Sequence, residues 1–343
     1  MDALRGNFRD TLNLARKTTP ARAYNAAKVL SSYHYSRLLK RPSHWALPTS
    51  ISIEPTTSCN LRCPECPSGL RSFTRPTGML QADLFKKVID ELSDTLSYLT
   101  FYFQGEPYLH PKFLELVQYA AEKNIYTATS TNAHYLSDEM AKRTIESGLD
   151  RLIISIDGTT QETYQSYRVG GKLDKVIEGA RNIVRWKKEL KSLTPFVVFQ
   201  FLVVKPNEHQ IEEVHKLAKE IGVDHVALKT AQIYDYQNGS DLIPTIDKYS
   251  RYQKNADDSY SIKNELESHC WKMWQSCVIT WDGKVVPCCF DKDAHYVMGD
   301  LQTQSFKEIW QSAKYNDFRA SLLRSRDEIE MCKNCTEGTK VWA

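Results

Sequence analysis

From about residue 48 the chain alternates short runs of β-branched and aromatic residues with longer segments whose apolar positions recur at i, i+3 and i+4. The runs are SISIEP (50–55), YLTFYF (98–103), IYTATS (125–130), RLIISI (151–156), FVVFQFLVV (196–204) and HVALKT (225–230). Between them LQADLFKKVIDELSD, PKFLELVQYAAEK, LSDEMAKRTIESG, LDKVIEGARNIVRWKKEL and EHQIEEVHKLAKEIG read as amphipathic helices. Strands alternating with helices predict a parallel sheet rather than hairpins. Six such units place the chain in the α/β class, as a run of βα units. In parallel α/β barrels the active groups gather in the loops at the C-terminal ends of the strands. Here those loops read CNLRC, QGEP, TNAH, DGTTQETYQSYR, KPNEHQ and AQIYDY, and all six are expected to meet at one mouth.

The flanks follow other patterns. In TTPARAY, Thr19 suits a helix N-cap and Pro20 the first helical position, so residues 1–47 read as a two-helix arm. From about residue 234 the alternation dissolves. The expected divisions are the arm (1–47), the βα core (48–235), a connector (236–265) and a cysteine-rich module (266–343). Within that module SCVITWDGKVVPCC predicts a hairpin turning at Asp282-Gly283, and SFKEIWQSAKYNDFRASLLRSRDEIE one or two helices.

Composition narrows the options. At 343 residues and 41% apolar, the chain can bury a large core. A net charge of +3 carries no nucleic-acid signature. The excess sits in the arm, with nine Lys/Arg against two Asp. Two readings stand for it: a packed arm with a solvated basic face, or one making peripheral contact with a membrane surface or a partner. Tyr24, Ala27, Val29, Leu30, Tyr33, Leu38 and Leu39 make a poor single membrane face, which favours packing. No apolar run approaches the roughly 18–20 residues of a membrane span, and the N-terminus lacks a signal-peptide apolar region. Nine cysteines cannot all pair, and they cluster into two zones, which points to metal in a reducing, cytoplasmic setting.

The first zone is Cys59, Cys63 and Cys66 in EPTTSCNLRCPECPSGL. Three thiolates at CxxxCxxC spacing suit three irons of a cubane cluster and leave the fourth iron open. A zinc site completed by a remote ligand is the alternative, although zinc knuckles normally use CxxC pairs. This text resembles the radical S-adenosylmethionine (radical SAM) superfamily, whose hallmark is CxxxCxxC after the first strand of a partial (β/α)6 TIM-like barrel. The resemblance implies a catalytic 4Fe–4S cluster, S-adenosylmethionine on its open iron, and reductive cleavage to a 5′-deoxyadenosyl radical. It also implies a low-potential electron donor such as flavodoxin or ferredoxin. By the same resemblance Gln104, Gly105, Glu106 and Pro107 stand where the family has GGEP, whose backbone binds the methionine amino group. The first glycine is replaced by glutamine. Ser130 and Asn132 resemble cofactor neighbours, Ser155 and Asp157 contacts to ribose or substrate, and Arg168 the partner of the methionine carboxylate. From their places at strand ends, Gln200, Asn207, Lys229 and Gln232 are candidates for substrate binding or for hydrogen-bonded core polar groups.

The second zone holds Cys270, Cys277, Cys288, Cys289, Cys332 and Cys335. Its layout resembles the SPASM/twitch modules of radical SAM enzymes, and implies one auxiliary 4Fe–4S cluster on Cys270, Cys288, Cys332 and Cys335. Cys288 follows WDGKVVP, where the family's ligand stands, while Cys289 remains the rival; neighbours in a strand face opposite ways. A four-thiolate zinc ribbon is the alternative for this module. The resemblance implies an oxidoreductase acting on a small-molecule, carbohydrate or lipid-linked substrate, with the auxiliary cluster as electron acceptor. Peptide or protein maturation, and a non-catalytic metal-binding module, are the other readings.

Overall fold

Six strands pair in parallel, each with its successor in the chain: β1 (Ser50–Ile53), β2 (Tyr98–Thr100), β3 (Tyr126–Thr131), β4 (Arg151–Ser155), β5 (Phe196–Val203) and β6 (His225–Thr230). The computed structural model describes residues 2–338, with side chains from residue 8 onward. Five more strands follow: β7 (Tyr252–Lys254), β8 (Tyr260–Ile262), β9 (Val278–Ile279), β10 (Lys284–Val286) and β11 (Gly299–Asp300). The helices are α1 (Asp2–Arg16), α2 (Pro20–Leu39), α3 (Pro67–Leu70), α4 (Ala82–Leu92), α5 (Phe113–Glu122) and α6 (Asp138–Glu146). After them come α7 (Gln161–Tyr167), α8 (Leu173–Glu189), α9 (Ile211–Ile221), α10 (Lys272–Gln275), α11 (Phe306–Trp310) and α12 (Ala313–Arg324).

All six expected strands form: β1, β2, β4 and β5 are shorter by a residue or more, β3 is shifted by one residue at equal length, and β6 matches. The connecting helices bury one stripe each; on α4 it is Leu84, Phe85, Val88, Ile89 and Leu92. In a parallel ladder paired residues share a face. The Ser155–Gln200 pair therefore sets Gln200 beside Ser155 on one face of the sheet. One segment expected as loop is helical: in DGTTQETYQSYR, Thr160 accepts from the Thr163 N–H and starts α7, which ends on Arg168.

The C-terminal hairpin forms with its turn at Thr280–Gly283, but it does not stand apart. Strand β9 pairs in parallel with β1 (Ser52 with Val278, Ile53 with Ile279), so one nine-stranded sheet runs from β11 to β6. The hairpin's local signals specify a turn and say nothing of a long-range partner. The connector is not formless: it carries the β7–β8 hairpin and buries Ile243 and Tyr252 in a small core beneath the first cysteine loop, with Leu61, Cys63 and Tyr167.

The arm closes the floor of the barrel. Thr19 caps α2 as expected, accepting from the Arg22 N–H (3.2 Å). Arg22 is buried and donates to the carbonyls of Ser93, Lys123 and Asn124, which precede β2 and β3. Asp10 accepts from Tyr126 and Arg151, and Lys17 pairs with Asp150 (2.6 Å). Further along α2, Tyr33 is fully buried against Trp271 and Trp274, with its hydroxyl 2.9 Å from His269 Nδ1. Among the described residues no helix is long and apolar enough to cross a membrane.

Candidate active site

Past the end of β1 the backbone is anchored by Glu54. Its buried carboxylate receives a fork from Arg75 (2.8 and 2.6 Å) and the Trp281 N–H (3.2 Å). Burial raises the Glu54 carboxyl, and Arg75 opposes the rise. The Arg75 Nε in turn donates to the Lys292 carbonyl (3.0 Å), and the Thr74 N–H to Asp293 Oδ1 (2.9 Å). The segment after the cysteines is thus tied to the C-terminal module.

Cys59, Cys63 and Cys66 line a cavity of about 120 Å³ together with Ser68, Tyr102, Gly105, Glu106, Ser130, Asn132, Ser155 and Arg168. Residues far apart in sequence meet because their loops share one end of the sheet. Gly105 has φ +75°, and a Cβ there would lie 2.2 Å from the Thr56 carbonyl oxygen, so only glycine fits. Its N–H donates to Ser68 Oγ (2.9 Å), and the Glu106 N–H to the Ser58 carbonyl (2.8 Å). The Glu106 side chain accepts from the Thr131 hydroxyl and the Asn132 N–H (both 2.7 Å), fastening the end of β3. Burial lifts its pKa to about 7, against those hydrogen bonds.

Burial also lifts the Cys59 thiol to about 11 and raises that of Cys63, the latter opposed by Arg168. Such thiols become thiolates only when a cation repays the lost hydration, as iron does. Donors already point at the sulfurs: Arg168 Nη1 at Cys63 (3.8 Å) and Asn132 Nδ2 at Cys59 (3.9 Å). The residues present fit a cluster. Among the described residues no three Cys, His, Asp or Glu side chains converge closely enough for one metal ion, whereas a cubane holds its thiolates wider apart than a zinc ion does.

Cys270, Cys288, Cys332 and Cys335 line a second, nearly closed pocket with Met273, Phe290, Arg326 and Met331. Arg326 is buried and donates to Cys335 Sγ (3.1 Å) and the Glu337 carbonyl (2.7 Å), while its Nε has no partner. A buried guanidinium with spare donor capacity among four thiols suits an anionic cluster. Gly338 (φ +87°) is required beside it, since a Cβ there would lie 2.3 Å from Cys270 Sγ. Cys288 and Cys289 do not lie in a strand as expected. They follow β10 in a turn that nonetheless splits them: Cys288 faces the pocket and Cys289 is exposed. Cys277 is buried in the main core, away from both pockets.

Between the two cysteine pockets opens a larger cavity of about 800 Å³. Pro67 and Leu70 of the first loop form one side and Phe290 and Met331 of the auxiliary pocket another; Gln232, Tyr234, Tyr236 and Lys292 also line it, together with the carboxylates Asp235, Asp291, Asp293 and Glu330. Lys292 Nζ donates to Tyr234 Oη (2.9 Å) and Gln232 Oε1 (3.2 Å). Burial lowers its pKa.

Of its two readings Asn207 takes that of a hydrogen-bonded core polar group. Asn207 spends both amide N–H groups on the carbonyls of Asp157 and Leu202 and its oxygen on the Val204 N–H, so it braces a loop and has nothing left for substrate. Asp157 is fully buried, with one oxygen on the Leu202 N–H (2.7 Å) and the other on Arg168 Nε (2.5 Å), so both its oxygens are engaged within the protein and it orients Arg168. Gln104 and Pro107 flank the first cavity without lining it, Gln104 Oε1 lying 3.8 Å from Cys66 Sγ. Lys229 is exposed near Glu337. Sequence reasoning missed Lys292, Arg326, Ser68 and the Glu54–Arg75 brace. Ser68 and Glu54 lie within the quoted cysteine loop; the others carried no local signal.

Residues 53–218 match the radical SAM superfamily and residues 270–336 the SPASM iron–sulfur cluster-binding domain. A tungsten-containing aldehyde ferredoxin oxidoreductase cofactor-modifying protein of Pyrococcus furiosus is 27% identical over 298 residues, covering 78% of this chain and 82% of its own. A PqqA peptide cyclase of Rhodopseudomonas palustris is 28% identical over 309 residues (81% and 77%). The crystal structure of Streptococcus suis SuiB bound to its precursor peptide SuiA superimposes with TM-score 0.62 at 14% identity, over 92% of this chain and 75% of that one. A radical SAM domain carries a catalytic 4Fe–4S cluster and binds S-adenosylmethionine, and a SPASM domain carries auxiliary iron–sulfur; both sets of pockets described above suit that cargo. With both domains in their usual order on one continuous sheet, the chain belongs to the radical SAM superfamily, among its SPASM-bearing enzymes.

Proposed function

We propose that this protein is a peptide or protein maturase that oxidises its substrate. Cys59, Cys63 and Cys66 would hold the catalytic cluster, which with S-adenosylmethionine would supply the chemistry for removing one hydrogen atom from substrate. The observation that carries the reading is the cavity of about 800 Å³, bordered on one side by Pro67 and Leu70 of the loop that follows Cys66 and on another by Phe290 and Met331, which it shares with the auxiliary pocket. A peptide residue seated there lies between the radical source and an electron acceptor. The relative named as a peptide cyclase adds support. The small-molecule, carbohydrate or lipid-linked substrate expected from the sequence gives way to the alternative weighed against it.

The chain's own residues divide the work. Cys270, Cys288, Cys332 and Cys335 would fill all four irons of an auxiliary cluster, so that substrate does not bind it directly. Arg168, oriented by Asp157 through Nε, would hold the methionine carboxylate through its terminal guanidinium nitrogens. Gln232 and Lys292 would position the peptide; the hydrogen bonds of Lys292 go to the neutral oxygens of Tyr234 and Gln232. The test is anaerobic incubation of reconstituted protein with S-adenosylmethionine, reductant and short peptides encoded beside its gene. The expected result is 5′-deoxyadenosine formed in step with a two-hydrogen mass loss from one peptide. Peptides left unchanged while an aminocyclitol or sugar is oxidised would return the small-molecule reading.

A further inference from the structure

Helix α2 packs one side on the protein and leaves an apolar stripe uncovered on the other. The packed side carries Arg22, Asn25, Val29, Ser32, Tyr33 and Ser36. At 100° per residue the other side carries Tyr24, Ala27, Lys28, Ser31, Tyr35, Leu38 and Leu39. Leu38 is 81% exposed and Tyr24 69%, and Tyr35 packs on the exposed Trp45, ring centroids 5.2 Å apart. A helix facing water normally carries charge on its outer face. This one has a single lysine within the stripe, whose Nζ lies 5.4 Å from the Tyr24 ring centroid.

The charge around the stripe is of one sign. Between Asp10 and Glu54 the sequence has no Asp or Glu, while Arg16, Lys17, Arg22, Lys28, Arg37, Lys40 and Arg41 fall in that interval. Arg37, Lys40 and Arg41 are exposed and cluster at the end where Leu38, Leu39 and Trp45 protrude. The carboxylates that approach the helix do so on its packed side, Asp94 near Arg22 and Glu267 on His269. Leucine and aromatic side chains ringed by lysine and arginine, with no acid among them, match the chemistry of an anionic lipid surface. An acid-free rim repels a second copy of itself, which makes the lipid surface the better occupant.

We propose that the outer face of α2 seats the protein on anionic membranes, with Leu38, Leu39, Tyr35 and Trp45 entering the interfacial layer and Lys40 and Arg41 on the headgroups. The face lies on the arm that closes the floor of the barrel, so the mouth with its cysteine loop stays accessible to substrate. The proposal is independent of what the enzyme acts on.

The test is flotation of the anaerobically reconstituted full chain with vesicles of phosphatidylcholine alone or with about 30% phosphatidylglycerol. At least roughly tenfold stronger binding to the anionic vesicles is expected, weakening as salt rises. Leu38→Glu/Leu39→Glu should lose about tenfold or more in affinity with iron content and circular dichroism unchanged, since both side chains point to solvent. Lys40→Glu/Arg41→Glu should weaken binding, whereas Lys216→Glu/Lys219→Glu, of equal charge change on exposed positions of α9, should not. Equal binding to both vesicle types, no binding to either, or equal loss in the α9 variant would overturn the proposal. So would a dimer seen by light scattering that Leu38→Glu/Leu39→Glu dissociates, which would assign the face to a second copy.

Discussion

At the residue scale, Arg168 and Glu106 show how burial sets a role. Arg168 caps α7, keeps Nε on Asp157 and directs Nη1 toward Cys63. Replacing it by alanine should weaken S-adenosylmethionine binding by about 1.5–3 kcal/mol, the range for hydrogen bonds to charged groups, with iron content unchanged. Lysine should restore only part, because a point charge does not reproduce the fork. Asp157→Asn should fall between wild type and Arg168→Ala; calorimetric affinity equal to wild type in both would remove the pair from cofactor binding. Glu106 gives a pH signature. Its folded pKa, near 7, lies above the ordinary carboxyl range, so the unfolded chain releases this proton first as pH rises. Stability contributed by the protonated form is therefore lost as pH climbs from the ordinary carboxyl range to about 7, at up to about 1.4 kcal/mol per pH unit for one proton. Before S-adenosylmethionine is added, urea midpoints should fall across that window in wild type and stay level in Glu106→Gln. A parallel fall in both would place the titrating group elsewhere.

At the scale of elements, the arm supports the auxiliary pocket. Tyr33 on α2 packs on Trp271, the neighbour of Cys270, and Trp274 and Trp310 donate to the carbonyls of Ser43 and Ala46 just past α2. Tyr33→Ala should cost about 3–5 kcal/mol, as removal of large buried rings does, and should speed loss of the auxiliary cluster before the catalytic one. Iron release followed in each cysteine background distinguishes the two; equal rates would mean the arm supports the fold alone. In sequence the partner of the arm is hidden, because helical period and capping reveal a helix and not what it packs against. The β9–β1 pairing is hidden for the same reason, while the turn at Asp282-Gly283 is visible because turn chemistry is local.

Across the whole molecule, two cysteine pockets flank one cavity. Reconstitution should load about eight irons per chain, and replacement of Cys59, Cys63 and Cys66 together by alanine should leave about four. Cys288→Ala should also leave about four, whereas Cys289→Ala should keep about eight, because Cys288 lines the pocket with the other three thiols and Cys289 does not. If Cys289→Ala lost the auxiliary iron and Cys288→Ala kept it, the assignment would be reversed. Cys335→Ala should still form 5′-deoxyadenosine but yield no two-electron product; oxidised product at the wild-type rate would deny the auxiliary pocket its role as electron acceptor.

By itself the sequence determined the α/β class, the six parallel strands, the two cysteine zones and the family they resemble. These depend on short-range regularities: a period of two or 3.6, a cap, a turn, a spacing of thiols. Tertiary structure alone decided which polar strand-end residues face a cavity and which brace a loop. Gln232 reached the cavity while Asn207 was consumed by three backbone groups, although both read alike at the end of an apolar strand. It also decided the partner of β9, the split between Cys288 and Cys289, the place of Lys292 and the uncovered face of α2. Each of these turns on where a side chain points after distant segments have met, and no local pattern encodes that.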